Sequence, residues 1–202
     1  MDPSLSPVDS PRYVVGINRL GFEASSGFVF EGDPLKRIFL TEQFFRLPSY
    51  RLKVSAMRSG EFHFGAHYRG AILIHELSHL TLRTDDIAYL DSQAPFLDLL
   101  EDTAGYRMRI KNEQIAQQKS FGYETDRDQL FKQLEDDTLR DLKGDDGNAK
   151  RTILNITGKR TLDKARDVFY SDLRKRATLM LKNADSVALL LTLLGRRRFT
   201  TR

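Results

Sequence analysis

The sequence predicts an α+β fold: a small N-terminal sheet, one long apolar helix, and a mainly helical second half. Three observations carry that prediction. Short β-prone runs such as Tyr13-Val-Val15 and Ile38-Phe-Leu40 are bounded by glycine, proline and aspartate before residue 50. From Ala71 to Leu82 the chain is apolar except for His75, Glu76, Ser78, His79 and Thr81, too long a run for a strand in so small a sheet. Beyond Tyr89, segments such as Phe96-Leu-Asp-Leu-Leu100 and Tyr106-Arg-Met-Arg-Ile110 place apolar residues at helical spacing.

Taken in order, residues 1–11 hold three prolines and three serines and read as a flexible leader. Tyr13–Ile17 has strand character. Gly27–Phe30 and Lys36–Leu40 read as two strands joined by the turn Glu31-Gly-Asp-Pro34. A short helix is expected at Glu42–Arg46, ended by Pro48. Arg51–His67 reads as irregular strand and loop, because Gly60, Gly65 and Gly70 weaken a helix there. By position that segment is a candidate edge strand to hold an extended substrate beside the long helix. His63 and His67, also four apart, read as packing or surface histidines rather than a second metal pair.

In the second half, Asp91–Ala116 and Asp126–Leu142 are expected to be helical, the latter through Leu130, Phe131, Leu134, Leu139 and Leu142. Lys143-Gly-Asp-Asp-Gly-Asn148 is a loop by its glycines and aspartates. Helix resumes at Leu162–Leu181 and, with Asn183 or Asp185 as N-cap, at Ser186–Leu194, closed by Gly195. The expected organisation is therefore a leader over 1–11, one domain over 12–195 with a helical insertion at about 100–180, and a basic tail over 196–202.

Composition narrows the function classes. At 202 residues, with 40% hydrophobic and 30% charged residues, the chain can bury a core of ordinary size. Its longest nearly apolar stretch, Val187–Leu194, is far too short to span a bilayer, so no transmembrane segment is expected. A net charge of +4 comes from interspersed basic and acidic residues, which does not support nucleic-acid binding. There are no cysteines, so no disulfide can hold the fold. Met1-Asp-Pro-Ser-Leu-Ser-Pro lacks the basic and apolar regions of a cleaved signal peptide.

The chemistry lies in His75-Glu76-Leu-Ser-His79. With about 3.6 residues per turn, a helix places His75 and His79 on one face, where both imidazoles can bind one metal ion while Glu76 reaches a water beside it. This HExxH spacing is that of zinc peptidases. A catalytic zinc takes three protein ligands and leaves a fourth position open, so a third ligand is required. By spacing alone Asp85 and Glu101 are both candidates, the first at a metzincin-like distance and the second at a thermolysin-like one.

Thr84-Asp85-Asp86-Ile87-Ala88-Tyr89 resembles the Gly-Thr-x-Asp-x-x-Tyr signature of the aspzincins, the deuterolysin and peptidyl-Lys metalloendopeptidase family, with Arg83 where the signature has glycine. Lys182-Asn-Ala-Asp-Ser186 is similar to the Asn-Ala-Asp-Ser segment of that family's last helix, and Ile38-Phe-Leu40 with Phe44, Phe45 and Pro48 is similar, more weakly, to the segment before its zinc helix. The resemblance implies a zincin-like fold in which His75, His79 and Asp86 hold Zn2+. It further implies that Glu76 is general base and acid, Tyr89 a transition-state hydrogen-bond donor, and Asp185 a substrate-binding residue. Ala188 stands where lysine-specific members carry glutamate, so lysine specificity is not implied.

The expected activity is zinc-dependent hydrolysis of peptide bonds in a protein or peptide substrate. A cysteine-free domain of this kind without a signal looks like the toxin or effector modules that bacteria secrete or inject, for which an immunity or inhibitor protein is an expected partner; failing delivery, a cytoplasmic location is expected. Two alternatives are a non-catalytic interaction domain with a structural or vestigial zinc site, and a zinc amidase acting on cell wall.

Overall fold

A computed structural model describes residues 11–17, 25–46, 64–88, 90, 102–105, 108, 126–135, 138–143 and 148–200, with side chains for all of these except Phe64, Leu134, Glu135 and 196–200. The fold is α+β. Three short strands, β1 (Tyr13–Val15), β2 (Gly27–Val29) and β3 (Ile38–Leu40), form a mixed sheet in the order β1-β3-β2, parallel between β1 and β3 and antiparallel between β2 and β3. The turn between β2 and β3 is closed by Asp33, whose carboxylate accepts from Arg37 N and Nε, both at 2.9 Å. Helix α1 (Glu42–Phe45) follows β3 directly. Its N-cap is Thr41, whose hydroxyl oxygen accepts from Gln43 N and whose hydroxyl donates to Ser25 O.

The long apolar helix is α2 (Phe64–Leu82). It begins earlier than its glycines suggest: Gly65, His67 and Gly70 all lie inside it, where packing outweighs their weak propensity. One face of α2 lays Ile72, Leu73, Leu77 and Leu80 on buried Ile38, Leu40 and Phe44, giving a sheet-side core. The alternation of β3 explains this, since Ile38 and Leu40 point to the helix and Phe39 to the other side, against Phe28 and Phe30.

The second half is mainly helical with one correction. Residues Lys132–Glu135 (β4) and Thr138–Asp141 (β5) form an antiparallel hairpin, not the helix expected over Asp126–Leu142. Leu134 and Leu139 oppose each other across that ladder, and Phe131, at a left-handed φ of 60°, turns into it. Few apolar residues in a short window satisfy both periodicities, and tertiary burial of Leu130, Phe131 and Leu142 decided the outcome. The expected insertion at about 100–180 is therefore not all helix.

Four helices complete the chain: α3 (Ala149–Thr157), α4 (Leu162–Ser171), α5 (Leu173–Lys182) and α6 (Ala184–Thr200). Helix α3 lies within the helical insertion expected at about 100–180, at a place where the periodicity assigned no particular helix. It ends on Gly158, whose φ of 69° is the left-handed cap that glycine adopts without strain. The single helix expected over Leu162–Leu181 is two, because Asp172 leaves helical geometry and its carboxylate caps the next helix at Lys175 N, 3.0 Å away. Gly195 does not close the last helix, which continues to Thr200. A second core gathers Ile87, Leu130, Phe131, Leu142, Ile153, Leu162, Phe169 and Leu179. Among the described residues no helix is long and apolar enough to cross a membrane.

Candidate metal centre

Helix α2 carries His75 and His79 one turn apart, and their Nε2 atoms lie 3.1 Å from each other. Asp86 Oδ1 closes a triangle, 3.1 Å from His75 Nε2 and 3.3 Å from His79 Nε2. Ligands about 2.0–2.1 Å from a tetrahedral metal are separated by about 3.3–3.4 Å, so these three atoms match one face of such a coordination shell closely. They are the one cluster of this kind among the described residues. The residues present therefore fit a zinc ion.

Each histidine is oriented from behind. His79 Nδ1–H donates to the Thr84 carbonyl at 2.8 Å, and His75 Nδ1–H donates to the Asp185 carboxylate at 2.6 Å. Both bonds put the proton on Nδ1 and leave Nε2 as the atom with a lone pair toward the metal position. Thr84 reaches His79 because α2 stops at Leu82 and Arg83 takes a left-handed φ of 54°, folding the chain back. That is the position where the resembled signature has glycine, a residue that adopts this φ without steric cost.

The Asp86 segment is held by the other end of the molecule. Asp85 N–H donates to Lys182 O at 2.8 Å and Ala184 N–H to Asp85 O at 3.2 Å. Asn183, fully buried, accepts from both Ile87 N–H and Ala88 N–H through Oδ1, each at 3.1 Å, while its Nδ2 donates to Ser186 Oγ. Asp185 completes the arrangement, with Oδ2 accepting from Leu90 N–H at 2.7 Å.

Electrostatics follow from this packing. Burial pulls the His75 pKa down, but hydrogen bonds and charge from Asp185 and Asp86 outweigh it and hold the group well above its ordinary value. His79 behaves alike, with Asp86 overcoming the effect of burial. Burial pushes Asp86 up, and the two imidazoles more than reverse this, leaving it well below the usual carboxylate range. Glu76 differs. Only 5% exposed, it is pushed up to about 7 by burial, and among the described residues its carboxyl group has no hydrogen-bond partner. Gly27 of β2 lies against it, where a Cβ would stand 3.4 Å from Glu76 Cγ.

Of the residues singled out in the sequence, His75, Glu76, His79, Asp86 and Asp185 come together. Asp85 does not: its carboxylate turns away to accept from Thr152 Oγ1. Tyr89, Glu101 and His63, along with the Arg51–Phe64 part of the candidate edge strand, lie outside the residues described with side chains. Sequence reading missed Asn183 and the Thr84 carbonyl as organisers of the site. Asn183 stood in a recognisable segment, but a backbone carbonyl has no side-chain signal. No protein-family profile, curated protein or solved structure matches this chain.

Proposed function

We propose that this chain is a zinc-dependent endopeptidase of aspzincin type with a zincin-like fold. The observation that carries the reading is the ligand triangle of His75, His79 and Asp86 with the buried Glu76 carboxyl group beside it, which has no hydrogen-bond partner among the described residues. A buried carboxyl without a partner is costly, and is retained where it has chemistry to perform. Asp86 shows 45% of its side chain to solvent against 15% and 14% for the histidines, so the cluster opens on the Asp86 side, and no fourth protein ligand joins it among the described residues. A structural zinc site is normally closed by a fourth ligand.

Zinc bound there supplies a Lewis acid that acidifies a water and polarises a carbonyl. Glu76 would accept the water's proton on its carboxylate and return it to the leaving amine nitrogen. His75 and His79 present Nε2 in fixed orientations, and Asp86 contributes the negative charge of the ligand set. Tyr89 serves as hydrogen-bond donor to the developing oxyanion. β2, one of the two edge strands of the described sheet, runs beside Glu76 through Gly27, so an extended peptide added to that edge would pass the general base. The absence of cysteines keeps the fold independent of disulfides, which suits a toxin or effector working in a reducing compartment.

The test is digestion of unfolded casein by zinc-loaded protein, with purified peptidoglycan in a parallel arm. Cleavage of casein, abolished in Glu76→Gln with zinc still bound, is expected; release of peptide stems from peptidoglycan without casein cleavage would make the enzyme an amidase.

A further inference from the structure

Asn183, the one residue between α5 and α6, and Ala184 and Asp185, which begin α6, touch both halves of the metal cluster without belonging to it. Asp86 is held from both sides: Asp85 is bridged by its N–H and C=O to Lys182 and Ala184, and the next two amides, Ile87 and Ala88, both donate to the Asn183 side chain. The direction in which Asp86 leaves the backbone is therefore set by residues 182–184. Two positions later, Asp185 holds the opposite ligand through its hydrogen bond from His75 Nδ1. Its second oxygen is occupied by Leu90 N–H, so both oxygens are committed inside the protein, and its side chain is 14% exposed.

We propose that the Asn183-Ala184-Asp185 junction is the positioning device of the metal centre, Asn183 fixing the segment that carries Asp86 and Asp185 fixing the tautomer and orientation of His75. The proposal rests on the metal site described above. It gives Asp185 a different task from the substrate-binding one implied by the family resemblance: each of its oxygens already accepts from a group of the protein, His75 Nδ1–H or Leu90 N–H, and little of the side chain faces solvent where a cationic substrate group would approach. The asparagine suits its place because the carboxamide is neutral, offers one oxygen with two lone pairs for two amides, and keeps a donor for Ser186. A carboxylate in the same fully buried position would carry an unpaired charge.

The experiment measures zinc affinity by competition with a chromophoric chelator, alongside thermal unfolding of the metal-free proteins, for the full chain and its Asp185→Ala, Asp185→Asn and Asn183→Ala variants. Asp185→Ala is expected to weaken zinc binding by about 10–100-fold, as loss of a partner behind a metal-bound histidine does. Asp185→Asn should recover most of that loss, because its carboxamide oxygen still accepts from His75 Nδ1–H. The metal-free melting temperature of Asp185→Ala should fall as well, because His75 Nδ1–H and Leu90 N–H lose their acceptor, so zinc affinity is compared at a temperature where both proteins are folded. Asn183→Ala should also lose zinc affinity; if it does not fold, the Asp185 pair decides alone. Parent-like zinc affinity in Asp185→Ala, or a loss seen only in metal-free melting, would overturn the proposal while leaving the metal site intact. Failure of the parent to bind zinc would overturn both.

Discussion

His75 and His79 are brought together by four residues of local helix, whereas Asp86 is brought to them by hydrogen bonds to a residue some 96 positions further along the chain. The first half of the site is a consequence of helical repeat and survives anything that leaves α2 helical. The second half exists only when α5 and α6 have docked. Helix α2 rests on the sheet-side core around Ile38, Leu40 and Phe44, while Ile87 and Ala88, adjoining Asp86, belong to the separate helical core. The one His75–His79–Asp86 cluster thus draws on two cores, and its integrity reports on both.

The largest expected effect breaks the chemistry and leaves this geometry alone. Glu76→Gln should lower the peptidase rate by at least about 10²–10⁴-fold, the usual contribution of general acid–base catalysis, with zinc stoichiometry after dialysis unchanged. Activity equal to the parent's in that variant would remove Glu76 from the mechanism.

Truncating one residue in each core sharpens the comparison. Ile87→Ala and Leu40→Ala both empty nearly fully buried positions, at 1% and 3% exposure, and each should cost about 2–5 kcal/mol in denaturant unfolding. Only Ile87→Ala, beside the ligand, is expected to reduce the zinc affinity of the molecules that remain folded. Equal losses of affinity in the two variants would mean that the two cores are not energetically separate supports of the site.

The pH dependence separates metal-free from metal-bound protein. In the metal-free fold the pKa values of His75 and His79 are raised, and that of Glu76 is raised to about 7. Groups with raised pKa values bind protons more tightly folded than unfolded, so their contribution is full at low pH and is lost as pH rises through the folded values. Thermal stability without zinc should therefore fall, on account of these groups, as pH climbs from the ordinary carboxylate range through 7 and past the raised histidine values. Zinc must displace the imidazole protons, so its affinity should rise over the same histidine window. The opposed slopes can be read by melting curves with and without a chelator; parallel slopes would place the titrating groups elsewhere.

The smallest effect concerns the link between the two halves. Arg83→Gly relieves a side chain held at positive φ, and should raise stability by no more than about 1 kcal/mol while leaving zinc affinity near the parent's. Lys182 Nζ donates to the Arg83 carbonyl, a contact that glycine preserves. A large loss of affinity in Arg83→Gly would show that the fold-back to Thr84 depends on the arginine side chain.

Much of the fold was readable before any coordinates. The strands around Val14, Phe28 and Phe39 follow from β-branched and aromatic residues between turn formers, and α2 from its long apolar run. The hairpin of β4 and β5 was not readable, because Leu130, Phe131, Leu134, Leu139 and Leu142 satisfy a helical spacing as well as an extended one, and only the burial of Leu130, Phe131 and Leu142 in the core of Ile153 and Phe169 selects the hairpin. The break at Asp172 follows from its side chain capping the next helix, a signal the apolar spacing of Leu162–Leu181 concealed, and α6 passes through Gly195 without stopping.

By itself the sequence determined the pair His75 and His79 with Glu76 between them, since four residues of helix are enough to align two imidazoles and place a carboxyl group at their side. It could not choose among Asp85, Asp86 and Glu101 by spacing, because a ligand beyond the end of a helix is aimed by the fold of the following segment. The tertiary structure separates the two aspartates: Asp85 turns to Thr152, Asp86 faces the imidazoles, and residues 182–185 hold both the segment and His75 in place. Local periodicity is encoded residue by residue, whereas a long-range hydrogen bond needs both its ends to be folded first.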